Sequence, residues 1–225
     1  MKILIINPNS SDDMTVGIQK SALAYANGDF EVTTLSTPGA PQYIDYYSDA
    51  AIAAPGMMQL VKENEDQYDA FIVACHCDPN LDYLKQITDK PVVGIGEASM
   101  KLASMLGHSF SVVSPGDHSI PNKWAVIRKY HLEGCTASVR CPNEPCDDYE
   151  VDTPYMKAAE LAIKEDMAEV IVLGCAGFSH LAPSMSKKLG VPVLDGVVCA
   201  LIVASGLVKA GMSTSKIRRY RDIEA

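Results

Sequence analysis

The chain has 225 residues, 48% hydrophobic and 21% charged, which excludes a disordered tail or a disulfide miniprotein and leaves one large α/β domain or two small lobes. Nineteen lysines and arginines against 28 aspartates and glutamates give a formal net charge of −9, so no basic surface suited to a run of phosphates is expected and nucleic acid is not a partner. The seven cysteines are odd in number and lack the spacing of a disulfide scaffold, which reads as reduced thiols in a cytoplasmic protein.

The first apolar run, Ile3 to Ile6, is too short for a signal peptide and reads as a strand over 2–7. It exits through Asn7-Pro8-Asn9-Ser10-Ser11-Asp12-Asp13, where Ser10 and Asp13 stand at capping-box spacing. A second strand, 31–35, leads into a segment with Pro38, Gly39, Pro41, Tyr43, Tyr46 and Tyr47, which makes a candidate lid. Residues 48–65 have helical composition, but Pro55-Gly56 should break or kink that helix. Strands follow at 69–75, 91–95 and 109–114, then a helix over 120–132 with Pro121 in its first turn and Gly134 beyond its end.

After a strand at 135–140, Cys141, Pro142, Pro145, Cys146, Asp147 and Asp148 read as a free surface loop, with Cys135 nearby. Thr153-Pro154 opens a helix whose apolar stripe is Met156, Ala159 and Ile163. Strands at 168–174 and 191–195 flank another helix, which carries Leu181, Met185 and Leu189 and is stopped by Gly190. The last helix starts near 197, and its apolar stretch, Val197 to Val208, falls short of the roughly 20 residues that span a membrane. No membrane partner is expected.

Short β-branched runs alternating with helices are the signature of parallel sheets covered on both faces. The pattern also repeats. DAFIVAC (69–75) and EVIVLGC (169–175) are the same buried strand ending in a cysteine, and Pro-led strands begin 16 residues after Cys75 and 17 after Cys175. ILIIN at 3–7 has its counterpart in FSVVS at 110–114. This predicts two similar flavodoxin-like lobes related by a pseudo-twofold axis, with the site in the crevice at the carboxyl ends of their strands. The first lobe is expected over 1–96 plus about 205–225, and the second over 97–204.

Cys75 and Cys175 then face each other. One cysteine ending a buried strand is ordinarily an inert core residue. Two at matched positions fit an enzyme that removes a proton from one face of a carbon and returns it to the other, one thiolate as base and one thiol as acid. Gly174-Cys175-Ala176-Gly177 leaves backbone N–H groups free beside the thiol, with Ser179 as a cap. Backbone donors near Asn9, Ser10, His76, Ala176 and Gly177, with Ser114 as a further candidate, would hold an enolate oxygen. Tyr43 is the lid residue assigned to a ring substituent.

The cluster Cys75-His76-Cys77-Asp78 lacks a second tight pair at zinc-like spacing, and strand alternation sends its neighbours to opposite faces, so no metal is expected. Gly94-Ile95-Gly96-Glu97 lacks the third glycine of a dinucleotide fingerprint, and Glu97 serves equally well at a helix N-terminus. His118 and His180 read as solvated or capping.

ILIINPNSS with Met14-Thr15, IVACHCDPNLDYL, PVVGIGEA, KEDMAEVIVLGCAGFSHLA and VPVLDGV together resemble the aspartate/glutamate racemase superfamily, and within it the hydantoin and allantoin racemases. The resemblance covers nearly the whole chain. It implies cofactor-independent racemisation by two cysteines, carried onto Cys75 and Cys175, and a homo-oligomer. The amino-acid racemases of this superfamily follow their cysteines with hydroxyl or amide side chains that hold the substrate carboxylate. Here the followers are His76-Cys77 and Ala176-Gly177, which favours a neutral cyclic ureide as the small-molecule substrate. Racemisation of aspartate or glutamate, or a maleate isomerase reaction, stays open as the alternative, and a non-catalytic thiol redox or binding protein using Cys75 and Cys77 as the remote one.

Overall fold

The computed structural model describes residues 1–143 and 153–221. The first half contains β1 (Lys2–Asn7), α1 (Asp12–Ala26), β2 (Glu31–Ser36), α2 (Tyr47–Asn64), β3 (Ala70–Val73), α3 (Leu81–Ile87), β4 (Val92–Gly94) and α4 (Ile95–Leu106). The second contains β5 (Phe110–Val113), α5 (Ile120–Lys129), β6 (Thr136–Arg140), α6 (Thr153–Glu165), β7 (Val170–Leu173), α7 (Ala182–Leu189), β8 (Val193–Leu194) and α8 (Gly196–Lys209). Two four-stranded parallel sheets result, in the orders β2-β1-β3-β4 and β6-β5-β7-β8, so the repeat read from DAFIVAC and EVIVLGC is a repeat of sheet topology.

The strands are short because they are buried on both faces: every residue of β3, β5 and β7 is buried. Register aligns their carboxyl ends, pairing Ile6 with Val73 in one sheet and Val113 with Leu173 in the other. The last sheet bonds are matched as well, Ala74 N–H to Ile6 O at 2.9 Å and Gly174 N–H to Val113 O at 2.8 Å. Cys75 and Cys175 are thus the first residues free of each sheet.

Three local expectations change. α1 is capped by Ser11, whose hydroxyl accepts from Met14 N–H at 3.3 Å, while the Ser10 N–H is bonded to Pro41 O. α5 stops at Lys129, three residues earlier than the composition implied, because His131 adopts φ 59° and Leu132 N–H turns back to Ile127 O. α2 runs unbroken through Pro55. Gly56 seats it closely: a Cβ there would stand 2.1 Å from Pro38 O and 2.7 Å from Thr37 Cγ2, so the bare backbone lets the helix lie directly on the 37–38 turn.

α8 is capped by Asp195 and lies on the first sheet. Val197, Ala200, Leu201 and Ala204 share a core with Ile3, Ile5 and Ile72, so the docking of this helix begins eight residues before position 205. Beyond it, Lys216 Nζ bonds the carbonyls of Lys85 and Gln86 at 2.9 Å each, and Tyr220 OH bonds Asp82 at 2.8 Å, holding the tail on α3. Among the described residues no helix is long and apolar enough to cross a membrane.

Candidate active site

The loops after β3 and β7 have the same burial residue by residue: from Phe71 to Pro79 and from Ile171 to Ser179, two partly open positions interrupt an otherwise buried run. Those positions are Cys75 and Cys77 in one loop and Cys175 and Gly177 in the other. Each cysteine opens a tight turn, with Asp78 N–H bonded to Cys75 O at 2.9 Å and Phe178 N–H to Cys175 O at 3.2 Å. Each thiol is also acted on by the backbone N–H two residues on, that of Cys77 for Cys75 and that of Gly177 for Cys175. Cys175 heads the short 3-10 turn Ala176–Leu181.

Between the loops lies a group that the sequence pattern did not single out. Lys123 of α5 is only 3% exposed, and its ammonium donates to Cys77 Sγ at 3.4 Å while acting electrostatically on Cys75 and Cys175. One buried cation therefore gathers all three sulfurs. Burial alone would push this ammonium down, but negative charge on the neighbouring sulfurs, Cys77 foremost, holds it above the usual lysine range. Ile120, Lys123, Ile127 and Tyr130 recur at helical spacing, and a charged residue inside that stripe was the available signal.

The sulfurs differ. A hydrogen bond from Cys75 and the nearby Lys123 bring Cys77 down to about 5, against burial. Cys75, bonded to that sulfur and largely shielded from solvent, is held well above the ordinary thiol value. Burial likewise pushes Cys175 up, with Gly177 N–H and Lys123 opposing. Asp45, in the loop before α2, disfavours charge on both Cys77 and Cys175.

A pocket of about 280 Å³ opens beside Cys77, lined by Ile44, Tyr46, Tyr47 and Pro79 from the first half and by Asn122 and Val126 of α5 from the second. Tyr43 is not among its walls and is 47% exposed. The loop closes on α5 and the turn before it, through Asn122 Nδ2 to Asp45 O at 3.4 Å and His118 to Asp45 at 3.7 Å.

The other expected donors have mixed positions. Asn9 is buried; its Oδ1 accepts from Asn7 Nδ2 and Ser11 N–H, and its Nδ2 points to Met14 Sδ, so the side chain braces the loop after β1. Ser10 is exposed. The hydroxyl of buried Ser114 is taken up by Ser119 and by Gly116 O. His76 turns inward, its ring 3.4 Å from Ser99 Oγ and its Nδ1 buried without a partner, and burial holds it well below the usual histidine range. Ser179 is no cap; its hydroxyl donates to Ala176 O and to Asp195. Ala176 and Gly177 form the first turn beside Cys175, where the Gly177 N–H acts on the thiol.

Asp78 explains the glycine-rich segment. Its carboxylate accepts from Gly96 N–H (3.0 Å), Glu97 N–H (2.6 Å) and Tyr130 OH (2.7 Å), crowning α4. A Cβ on Gly94 would sit 2.2 Å from that carboxylate, and one on Gly96 would sit 2.4 Å from His76 O. Glu97 is bridged to Lys85 and Lys101. Among the described residues no three His, Cys, Asp or Glu side chains converge on a metal position. Cys141 is partly buried and Cys135 bonds Leu132 O, while Cys146 and the rest of that loop from 144 on lie outside the described residues.

A family model described as Asp/Glu/hydantoin racemase matches residues 3–204. A hydantoin racemase of a Pseudomonas species is 37% identical over 98% of this chain and 91% of its own length. Two solved structures superpose along the whole chain. An allantoin racemase from Pseudomonas fluorescens is 35% identical with a TM-score of 0.92 over 98% of its length, and one from Klebsiella pneumoniae is 29% identical with a TM-score of 0.94 over 94%. A maleate isomerase from Pseudomonas putida, at 15% identity and TM-score 0.69, shares the fold.

Proposed function

We propose that this chain, which belongs to the Asp/Glu/hydantoin racemase family and is an isomerase of the racemase class, inverts the stereocentre of 5-substituted hydantoins, allantoin being one of them, with Cys75 and Cys175 as the two proton-transfer groups. The observation that carries this reading is the matched placement of the two thiols, each first out of its sheet and each beside the backbone N–H two residues on. A flat ring between two such sulfurs loses its proton to one and regains a proton from the other. The electron pair left by the broken C–H bond moves into the adjacent carbonyl, where backbone N–H groups such as those of Ala176 and Gly177 stabilise the oxyanion, each worth about 3–4 kcal/mol.

The residues next to the two cysteines favour a neutral ring. His76 is turned into the fold, and Ala176 and Gly177 offer only backbone donors. Of the cations nearest the pocket, Lys129 is bridged to Asp82 at 2.7 Å and Lys123 is bonded to Cys77. Ile44, Tyr46 and Tyr47 give the ring substituent an apolar wall.

The test is loss of optical activity from a single hydantoin enantiomer, with aspartate, glutamate and maleate as parallel substrates. The parent racemises hydantoins only. Cys75→Ser and Cys175→Ser each lower kcat/KM by at least about 100-fold, equally from either enantiomer, because the equilibrium constant of a racemisation is one. Turnover of an amino acid or of maleate without hydantoin activity, or a serine variant as fast as the parent, rejects the reading.

A further inference from the structure

The paired mechanism uses two thiols, yet the structure supplies a third. Lys123 is buried, and a buried ammonium is stable only beside an anion. Among the described residues the ion pairs include none between Lys123 and a carboxylate, and its hydrogen-bond partner is Cys77 Sγ at 3.4 Å. Cys77 in turn shares a hydrogen bond with Cys75 and stands on the wall of the pocket. We propose that Cys77 and Lys123 form a resident thiolate–ammonium pair that stores the charge of the site and serves as the proton acceptor through which Cys75 becomes a base.

The inference rests on the racemase reading for its catalytic part and on the Lys123–Cys77 contact for its charge. At rest Cys77 is thiolate, while Cys75 and Cys175 are thiols. When substrate enters, the Cys75 S–H proton passes to Cys77, and the Cys75 thiolate takes the proton of the ring carbon. Cys175 S–H then protonates the opposite face and is left as thiolate. Two protons are shared by three sulfurs before and after, and the next molecule of the other enantiomer runs the transfer backwards. Storing the charge two residues from the reacting thiol keeps Cys75 neutral in a closed site until a ring carbon is present.

Every group that faces Cys77 bears on its charge. Lys123 from α5 and the S–H of Cys75 favour thiolate; Asp45 from the loop before α2 opposes it; Cys175 lies across the crevice; and Lys129, lining the same pocket, is paired with Asp82. His76 is turned away, and Lys123 holds its ring neutral together with burial.

The first measurement needs no substrate, so it stands or falls separately from the racemase reading. The parent is treated with limiting iodoacetamide at pH 6, and carbamidomethylation is read peptide by peptide. Cys77 is labelled at least about tenfold faster than Cys75 or Cys175, and Lys123→Met removes the difference. Labelling of Cys75 or Cys175 first, no preference among the three, or an unchanged rate at Cys77 in Lys123→Met overturns the pair. The second is the pH profile of kcat/KM for Cys77→Ser and Lys123→Met. Each variant falls at least about tenfold at pH 6 and recovers towards the parent by pH 9, where ordinary thiols ionise unaided. A purely structural defect lowers activity equally at every pH, and that result overturns the relay.

Discussion

Asp78 sits one residue beyond the sulfur nearest the pocket, with its carboxyl buried against the start of α4. Burial pushes it up to about 7, although Tyr130 OH and two backbone N–H groups pull it down. Its proton is therefore held more tightly in the folded chain than in the unfolded one. Between about pH 4 and 7 the folded state binds the extra proton, so this group's contribution to stability is complete at the acid end and declines as pH rises through the window, by up to about 4 kcal/mol. In chemical denaturation Asp78→Asn is less stable than the parent at pH 4 and loses less on going to pH 7; an identical slope in both proteins contradicts the assignment. The same residue shows what the sequence disclosed and what it hid. Cys75 and Cys175 stood out because the duplication placed them at equivalent strand ends. Lys123 did not, because a lysine in PNKWAVIRK looks solvated until the neighbouring lobe covers it, and nothing in the sequence marks the bonds of the Asp78 carboxyl to the backbone of residues 96 and 97.

Among the elements, α2 and the segment before it are one device. Gly56 lets the helix lie on the Thr37–Pro38 turn, Asn80 Nδ2 bonds Ala50 O at 2.7 Å, and the loop leading into the helix carries Asp45, Tyr46 and Tyr47 to the pocket. Gly56→Ala forces the helix off that turn, with an expected loss of about 3 kcal/mol in unfolding free energy and a raised KM, because the tyrosine wall moves with it. An alanine variant within about 0.5 kcal/mol of the parent and with unchanged KM contradicts this role for Gly56. Periodicity found the central strands because burial on both faces leaves β3 and β7 wholly apolar. It misjudged α2, where proline and glycine forecast a break, because the bare backbone of Gly56 serves a contact with a turn 18 residues upstream. It missed the end of α5 for a related reason: the stop comes from His131 in a left-handed conformation.

Across the fold as a whole, the two sheets are tied by α5 from one side and by α4 and α8 from the other. α5 reaches over to the first half through Lys123 to Cys77, Lys129 to Asp82 and Tyr130 to Asp78. α8 threads back into the first core. The duplication makes the two-lobed plan legible from strand spacing, whereas the side-chain contacts that α5 makes to the first half leave no mark in the repeat. With both strand-end cysteines brought to one buried cation, the proposed reaction has the proton leave one face of the ring and enter on the other from a different sulfur. Proton NMR of one hydantoin enantiomer turning over in heavy water, with the enantiomers separated at early times, distinguishes two sulfurs from one. The two-thiol mechanism predicts deuterium at the ring carbon of nearly every product molecule while unreacted substrate keeps its protium, since the donor thiol has exchanged with solvent and the abstracting one returns what it took. Deuterium appearing at equal rates in both enantiomers from the start would mean a single base serving both faces, and would contradict it.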